Sequence, residues 1–381
     1  MYGPYLAKIA RGKKVIEYVG NKVSKPIGDV RSTEFEKAVL DARLNDIVGN
    51  KHFYHLHRID NAVFLASVDY FKKLGAEWCN LPLTTLMISS PGEVYAGKKL
   101  DYTTDALPME LTWFDGERKV FLAESSQFYL ELRLLIDKVS KVFSIYNSFR
   151  KEKADFSHLS EFQHIEFEGL VGFKENVKIA TGLLRHIIKY IFKHNREDLA
   201  YFLTDVEIES LPKTFIGKNV RTITFKKALK ILLEDTKDPI YKEFSMKNFG
   251  SWEEVRLTEL LQSHVIVTEF PLMQIPFYHT AKKDEKGISL AQNADLILYG
   301  YREVVGSGVR ISDPKALAEK AKAFNLPLED YAPYLKTRDF SHYKETAGFG
   351  LGWQRLTHWL LKLPYIWEAS HIPRGHHLPR P

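Results

Sequence analysis

The stretch SFRKEKADFSHLSEFQHIEFEG, Ser148–Gly169, decides how this chain folds. It closes one alternating segment, passes through a short charged stretch and returns as a second alternating segment, a pattern that predicts an antiparallel hairpin. Successive side chains of a strand point to opposite faces, so every second residue of the returning strand shares one face. That face carries an aromatic ring, an imidazole and two carboxylates: Phe162, His164, Glu166 and Glu168. Arg150 lies across the turn from them.

This strand face has two interpretations. An aromatic ring covers a nucleotide base, an arginine reaches a phosphate, and paired carboxylates hold a metal ion or a substrate ammonium group. The same residues would also form a salt-bridged hairpin on the surface, and the stretch by itself does not decide between the two.

The segment TAGFGLGWQRL alternates glycine with larger residues: Gly348, Gly350 and Gly352. As a strand it would have no side chains on one face, which allows either close approach of a flat ligand or tight packing of the backbone. Arg355 follows where a helix is expected to start. A guanidinium group fixed there suits a phosphate because it offers several planar donors at constant charge.

The segment YREVVGSGVRI places Glu303 seven residues before Arg310, with Gly306 and Gly308 between them. An odd separation puts two strand residues on opposite faces, but a bulge between them would turn both toward one cleft. Two arginines, a glycine platform and several acidic groups together predict a site for a nucleotide and a metal ion.

Composition sets the outer limits. The chain has 381 residues, of which 45% are hydrophobic and 13% aromatic, so it is not a disordered chain. Its net charge of +6 permits binding to phosphates or RNA without requiring it. The one cysteine, Cys79, cannot form an internal disulfide, which predicts the cytoplasm. We expect neither a signal peptide nor a membrane span, because no long apolar run occurs.

Helices and antiparallel strands are interleaved without regular βαβ repeats, which predicts an α+β fold. Thr33 and Glu36 form a capping-box pattern that predicts a helix start. A second helix is predicted over residues 58–75, with Gly75 as its C-cap. Residues from about 176 to 263 are predicted to be mostly helical, and the segments around the glycine repeats are predicted to be strands.

These segments together carry a resemblance to the catalytic domain of class II aminoacyl-tRNA synthetases, in the aspartyl and asparaginyl branch. GAEWCNLP, FRKE…HLSEF…E and GFGLGWQRL…PR resemble its three motifs, and AESSQFYLE, VTEFPLMQIPFY and YREVVGSGVRISDP are similar to further blocks. The resemblance runs in order from about Ser32 to the C-terminus. It implies an antiparallel sheet flanked by helices, a catalytic domain over residues 31–381 after a short extension of residues 1–30, and a homodimer.

The resemblance also implies roles for individual residues. ATP would be bound by Arg150, Glu152, His158, Phe162, Glu303, Gly350, Gly352 and Arg355, with Arg150 and Arg355 as the catalytic cations. The magnesium ligand would be Glu303. The amino acid, aspartate or a related one, would be bound by Gln127, Glu166, Arg310 and Glu93. The implied cofactors are therefore ATP and Mg²⁺.

The departures from the family shape the functional expectation. Ser157, Gly306 and Gln354 replace residues that the family uses around ATP, and Leu130 replaces the lysine of the aspartyl branch. The thirty N-terminal residues cannot supply the five strands of an anticodon-binding OB barrel. We therefore expect no OB barrel, no specific tRNA, and an amide-forming ligase like asparagine synthetase that passes activated aspartate to ammonia or a small amine. The alternatives are a synthetase paralogue that acts on tRNA and a catalytically impaired regulatory paralogue.

Overall fold

The computed structural model describes residues 3–20, 22–23, 42–91, 95, 107–112, 119–151, 155–285 and 287–375. Its strands are β1 (Tyr5–Ala10), β2 (Lys13–Tyr18), β3 (Glu77–Trp78), β4 (Thr84–Thr85), β5 (Met109–Leu111), β6 (Val120–Leu122), β7 (Lys141–Phe149), β8 (Glu161–Gly169), β9 (Val220–Thr224), β10 (His264–Thr268), β11 (Ala281–Lys283), β12 (Ser289–Ala291), β13 (Asn293–Ile297), β14 (Glu303–Val309) and β15 (Ala347–Gly352). Its α-helices are α1 (Arg43–Gly49), α2 (Lys51–Leu74), α3 (Gln127–Arg133), α4 (Phe173–His194), α5 (Arg196–Phe202), α6 (Asp205–Ser210), α7 (Phe225–Thr236), α8 (Ser251–Leu261), α9 (Pro314–Ala323), α10 (Leu328–Leu335) and α11 (Trp353–Leu360).

One sheet of eight strands organises the fold, in the order β3-β7-β8-β15-β14-β13-β10-β9. The outer pairs β3–β7 and β10–β9 are parallel, and the inner pairs are antiparallel. The predicted hairpin is β7 and β8, and their register pairs Ser148 with Phe162 and Ser144 with Glu166. The predicted class, an α+β fold with a largely antiparallel sheet flanked by helices, is confirmed.

The central strands divide their residues between two faces. Odd-numbered positions of β7, β8 and β15 point into the main core. There Phe143 and Phe167 stack with Phe71 of α2, and Phe349 stacks with Phe167. Ring centroids are 4.4 Å apart for Phe71–Phe143 and 5.4 Å apart for Phe167–Phe349. Helices α2 and α4 cover this face, so the even-numbered positions are left to line the opposite one.

Glycines occupy the middle of that opposite face. Gly350 pairs with Glu166 on one side and with Gly306 on the other, and Gly306 pairs with Asp295. Gly348 pairs with Glu168 and with Gly308 in the next row. The two rows form a floor without side chains, which lies between Glu166 and Asp295 in the first row and between Glu168 and Asn293 in the second.

The predicted bulge is present. Ile297 pairs with Glu303 but Leu296 pairs with Val305, so one extra residue lies in β14. The shift brings Glu303 onto the face of Gly306, because a Cβ built on Gly306 would lie 2.8 Å from Glu303 Oε1. The glycine floor and the residues flanking it therefore face one cleft.

Most other predicted elements are confirmed. Gly75 ends α2 in a left-handed conformation with φ 74°, as its C-cap position predicts. The helix starts earlier than predicted, at Lys51, because the Asn50 side chain accepts a hydrogen bond from the backbone of His52. The segment predicted to be mostly helical also contains β9, which pairs with β10. The capping-box pattern at Thr33 lies outside the described residues.

The N-terminal hairpin β1–β2 joins the main core. Tyr5, Ile16 and Tyr18 are buried there, and the Tyr5 hydroxyl lies 2.7 Å from His358 Nε2 of α11. Cys79 is buried as a free thiol, as expected. None of the helices in the described part of the chain is long and apolar enough to cross a membrane.

Gly348→Ala tests the glycine floor. A Cβ at this position would lie 1.9 Å from Glu168 Oε2 and 2.4 Å from the Phe167 carbonyl oxygen, so strand or side chain must shift. We expect the free energy of unfolding to fall by about 3 kcal/mol, measured by denaturant titration. Gly49→Ala is the control, because a Cβ there meets nothing within 4 Å. Equal stability of the two variants would contradict the close approach of Gly348 to Glu168 and Phe167.

Candidate active site

The cleft above the glycine floor brings together seven of the eight residues predicted to bind ATP: Arg150, His158, Phe162, Glu303, Gly350, Gly352 and Arg355. They come from both strands of the hairpin, from β14, from β15 and from α11. The eighth, Glu152, lies outside the described residues, as does Glu93 of the predicted amino-acid site. Sequence positions that are some 200 residues apart thus meet in one place.

The hairpin side of the cleft is aromatic and cationic. The guanidinium group of Arg150 lies over the Phe162 ring, 5.4 Å from its centroid. Phe162 also contacts the ring of His164 edge-on, with 4.9 Å between the ring centroids. Burial lowers the pKa of His164 well below its usual value, and the charges of Arg150 and Arg355 act in the same direction. This histidine is therefore neutral at physiological pH.

Arg355 crosses the mouth of the cleft from the first turn of α11. Its Nη1 donates a hydrogen bond to the carbonyl oxygen of Glu303 at 3.0 Å and lies 4.0 Å from the Glu303 carboxylate. Helix α11 begins directly after Gly352, so the glycine strand and the arginine are held in one rigid unit. The cleft thus has two fixed cations, Arg150 and Arg355, near its carboxylate.

A second carboxylate stands beside Glu303, and sequence reasoning missed it. Asp295 Oδ1 and Glu303 Oε1 lie 3.9 and 2.8 Å from the position that a Cβ on Gly306 would take. Burial raises the pKa of Asp295, and the nearby charge of Glu303 raises it further. The sequence does contain a signal for it, because Asp295 is the one acid in the apolar segment NADLI. The antiparallel pairing of β13 with β14 brings this acid to Gly306.

Two half-buried carboxylates that repel one another favour a bound cation. Oxygen ligands of this type suit Mg²⁺, which proteins commonly hold with one or two carboxylates together with substrate phosphates. The residues present therefore fit the predicted magnesium ion, with Glu303 and Asp295 as the protein ligands.

The other edge of the floor forms a polar pocket around Glu166. This carboxyl group is 1% exposed, accepts a hydrogen bond from Ser125 Oγ at 2.7 Å, and has a pKa raised to about 7 by burial. Nε2 of Gln127 lies 3.7 Å from the position that a Cβ on Gly350 would take. Oε1 of Gln127 accepts a hydrogen bond from the Tyr278 hydroxyl at 2.9 Å. Ser125 and Tyr278 support residues that the sequence had already indicated.

Arg310 and Glu168 form a buried two-pronged ion pair at the back of this pocket. Arg310 Nη2 and Nε donate to the two carboxylate oxygens at 2.7 and 3.1 Å, and both side chains are at most 1% exposed. The remaining nitrogen, Nη1, is buried and has no hydrogen-bond partner among the described residues. The pair thus keeps one donor for a ligand.

The residues that depart from the family pattern are built into the cleft. Gln354 accepts a hydrogen bond from the backbone N–H of Gln163 at 2.9 Å and so fixes α11 against β8. Gly306 leaves space between the two carboxylates. Ser157 accepts a hydrogen bond from Arg302 at 2.7 Å. These contacts complete the cleft and do not indicate a collapsed site.

A glycine-floored cleft between two cations and a carboxylate pair, on a mainly antiparallel sheet, defines a nucleotide-activating site. The family model described as tRNA synthetases class II (D, K and N) matches residues 97–376. The chain belongs to this family.

Several relatives are similar over most of their length. The asparagine–tRNA ligase of Lactobacillus johnsonii is 28% identical over 363 residues, which cover 94% of this chain and 77% of the relative. The Thermus thermophilus enzyme of the same name is 31% identical over 288 residues, 73% of this chain and 62% of the relative.

Among solved structures, the asparaginyl-tRNA synthetase of Pyrococcus horikoshii complexed with asparaginyl-adenylate gives a TM-score of 0.78 at 22% identity, covering 99% of this chain and 83% of that one. The asparaginyl-tRNA synthetase of Entamoeba histolytica gives 0.74 at 20% identity, covering 94% and 76%. These structures confirm the fold.

Family membership confirms the predicted enzyme class, an AMP-forming ligase that works through an aminoacyl-adenylate with ATP and Mg²⁺. It also corrects two expectations. The predicted asparagine synthetase activity on ammonia or a small amine is wrong, and so is the expected lack of a tRNA partner, because the relatives are tRNA ligases. The error came from using the expected lack of an OB barrel as evidence about the acceptor.

The pKa of Glu166 gives a test of the pocket. A carboxyl group with a pKa of about 7 is neutral below that pH and anionic above it, and only the anion attracts a substrate ammonium group. We expect kcat/KM for the amino acid, measured by pyrophosphate exchange, to rise as pH increases toward 7 and then to level off.

Glu166→Gln should remove this rise and lower kcat/KM above pH 7. Glu161→Gln is the control on the same strand. Glu161 accepts a hydrogen bond from the Asn147 side chain at 2.7 Å and lies outside the pocket. An unchanged pH profile in Glu166→Gln would refute the assignment.

Proposed function

We propose that this protein activates asparagine with ATP as asparaginyl-adenylate and transfers the asparaginyl group to the 3′ end of a tRNA. The observation that carries the proposal is the glycine floor, which joins a pocket of buried acids to a cationic cleft with two carboxylates. The printed names of the relatives support the choice of amino acid and acceptor.

The dimensions of the floor suit an aminoacyl-adenylate. Glu166, Gly350, Gly306 and Asp295 lie side by side on four neighbouring strands. Neighbouring strands are about 4.8 Å apart, so the two acids are separated by about 14 Å. An amino acid placed at Glu166 would have its carboxylate near the middle of the floor, where it can meet an α-phosphate.

The cations would then act on the phosphates. Arg150 contacts the α-phosphate and Arg355 the outer phosphates, so positive charge faces the oxygens on which charge grows in the transition state. Phe162 provides the aromatic surface for adenine, and Gly350 and Gly352 allow the nucleotide to approach the backbone. Holding the carboxylate in line with the α-phosphorus lowers the barrier without a covalent protein intermediate.

Magnesium belongs at the far edge of the floor. Glu303 and Asp295 would hold the ion, and Mg²⁺ bound there neutralises phosphate charge. Burial and mutual repulsion of these carboxylates support the assignment.

The charges of the pocket favour asparagine over aspartate. Among its described residues, Glu166 and Glu168 carry two carboxylates and Arg310 one cation. An amino acid with an ammonium group and a neutral side chain complements this balance, while a second substrate carboxylate would add repulsion. Gln127 and Glu166 bind the ammonium group, and Arg310 Nη1 donates to the side-chain oxygen. Leu130 is fully buried against Cys79 and Tyr146 and adds no charge.

The setting of the reaction is part of the proposal. We place the enzyme in the cytoplasm, where its unpaired Cys79 stays reduced. The division into an extension over 1–30 and a catalytic domain over 31–381 stays a prediction, as do the roles of Glu152 and Glu93.

The homodimer is also a proposal with its own test. Strand β3 is the sheet edge, and Trp78 on it is 61% exposed while Phe64 of α2 is 45% exposed. An apolar edge of this kind fits a second copy related by a two-fold axis. Sedimentation should show a dimer at micromolar concentration, and Trp78→Glu should shift it toward monomer. A monomeric wild-type protein would contradict this proposal.

The central experiment measures aminoacylation. The protein should exchange pyrophosphate into ATP only when asparagine is present, and should form acid-precipitable asparaginyl-tRNA from total tRNA. Arg150→Ala, Arg355→Ala and Glu303→Ala should each lower exchange by about 100-fold, because a lost transition-state charge contact costs about 3 kcal/mol. Exchange with asparagine but no labelled tRNA would overturn the proposed acceptor.

A further inference from the structure

We infer that Arg302 is a positioning residue for the triphosphate end of the cleft. It holds Ser157 and the ring of His158 in the cleft wall and offsets the carboxylates of Glu254 and Asp155, so that the outer phosphates of ATP meet no net repulsion there. The inference rests on the proposed function, because it assigns that end of the cleft to ATP.

Arg302 lies at the centre of a charged network beside the cleft. Its Nε donates to Glu254 Oε2 of α8 at 2.9 Å, and its Nη1 donates to Ser157 Oγ at 2.7 Å. The same Nη1 lies 3.1 Å from His158 Nε2. Its side chain is 12% exposed, and both Ser157 and His158 line the cleft. A fixed positive charge thus stands directly behind the cleft wall.

The network also holds the ring of His158. Arg302 Nη1 lies 3.1 Å from Nε2 and 3.5 Å from Nδ1 of this ring. On its other side, Nδ1 lies 2.8 Å from Asp155 Oδ1. Arg302 and Asp155 together therefore fix the orientation of the imidazole in the cleft wall.

The contacts of His158 bear on its predicted role at the outer phosphates, which stays a prediction. Its ring nitrogens lie beside Asp155 and Arg302. The constant positive charge in this part of the cleft wall belongs to Arg302.

The charge balance shows why Arg302 is needed. Without it, Glu254 and Asp155 would stand uncompensated behind the cleft wall, close to Glu303, whose pKa Glu254 already raises. Adding a polyphosphate to such a site would place like charges together. Arg302 is suited to the task because it keeps its charge at every physiological pH.

The test separates the ATP end from the amino-acid end. Arg302→Gln should raise KM for ATP and for pyrophosphate about tenfold in the exchange assay, while KM for asparagine changes little. Arg302→Lys keeps the charge and should recover most of the loss. Arg256→Gln is the control, because Arg256 of α8 also makes a half-buried ion pair, with Asp235 at 2.7 Å, but lies outside the cleft lining.

Arg302→Gln leaves Glu254 buried without its partner, which could unfold the chain. The double variant Glu254→Gln with Arg302→Gln removes both charges and avoids this penalty. It should still bind ATP more weakly than Glu254→Gln alone. Equal ATP affinity of these two variants would show that Arg302 serves only to neutralise Glu254, and the inference would fail.

If wild type shows exchange with asparagine but Arg302→Gln matches it in KM for ATP, the proposed function stands and the role of Arg302 is refuted. If wild type shows no exchange, the proposed function itself fails, so the two failures are distinguishable.

Discussion

The ion pair between Glu168 and Arg310 is the constraint on which the site depends. It joins β8 to the end of β14 across the intervening strand β15, at 2.7 and 3.1 Å and with almost no exposure. Removing one partner of such a pair leaves a buried charge, at a cost of about 3–5 kcal/mol. The pair fits only because Gly348, which lies between the two strands, has no side chain to fill the space.

Strand alternation turns this constraint into a binding surface. The phenylalanines at odd positions of β7, β8 and β15 pack under α2 and α4, which fixes the orientation of every even position. The even positions then place glycines in the middle and acids at the edges. Because the aromatic core is well packed, the floor is formed before any ligand binds, and little of the binding energy is lost in ordering it.

The residues that differ from the family pattern also make contacts that order the cleft. Gln354 ties α11 to β8, and Ser157 accepts from Arg302, so positions that differ from the family pattern are structurally occupied. The hypothesis of an impaired regulatory paralogue had relied on these substitutions. Ser157 and Gln354 themselves line the cleft, so these two substitutions leave ordered side chains there.

The sequence by itself determined the local parts of this protein. Period-two alternation identified the hairpin and the glycine strand. The odd spacing of Glu303 and Arg310 indicated that a bulge would turn both toward one cleft, and the structure contains that bulge. Its motifs also identified the family, although the barrel argument drawn from it gave the wrong acceptor. These features depend on neighbours in the chain, so a single strand or turn is enough to reveal them.

Only the tertiary structure decided which distant groups act together. Asp295 joins Glu303 because β13 pairs with β14, and Arg302 reaches His158 because the hairpin end lies beside β14. The buried pairing of Glu168 with Arg310 follows from a strand order that places β15 between β8 and β14. Charges and hydrogen bonds act through space over a few ångströms, so their partners are set by strand order and burial and cannot be determined from spacing along the chain.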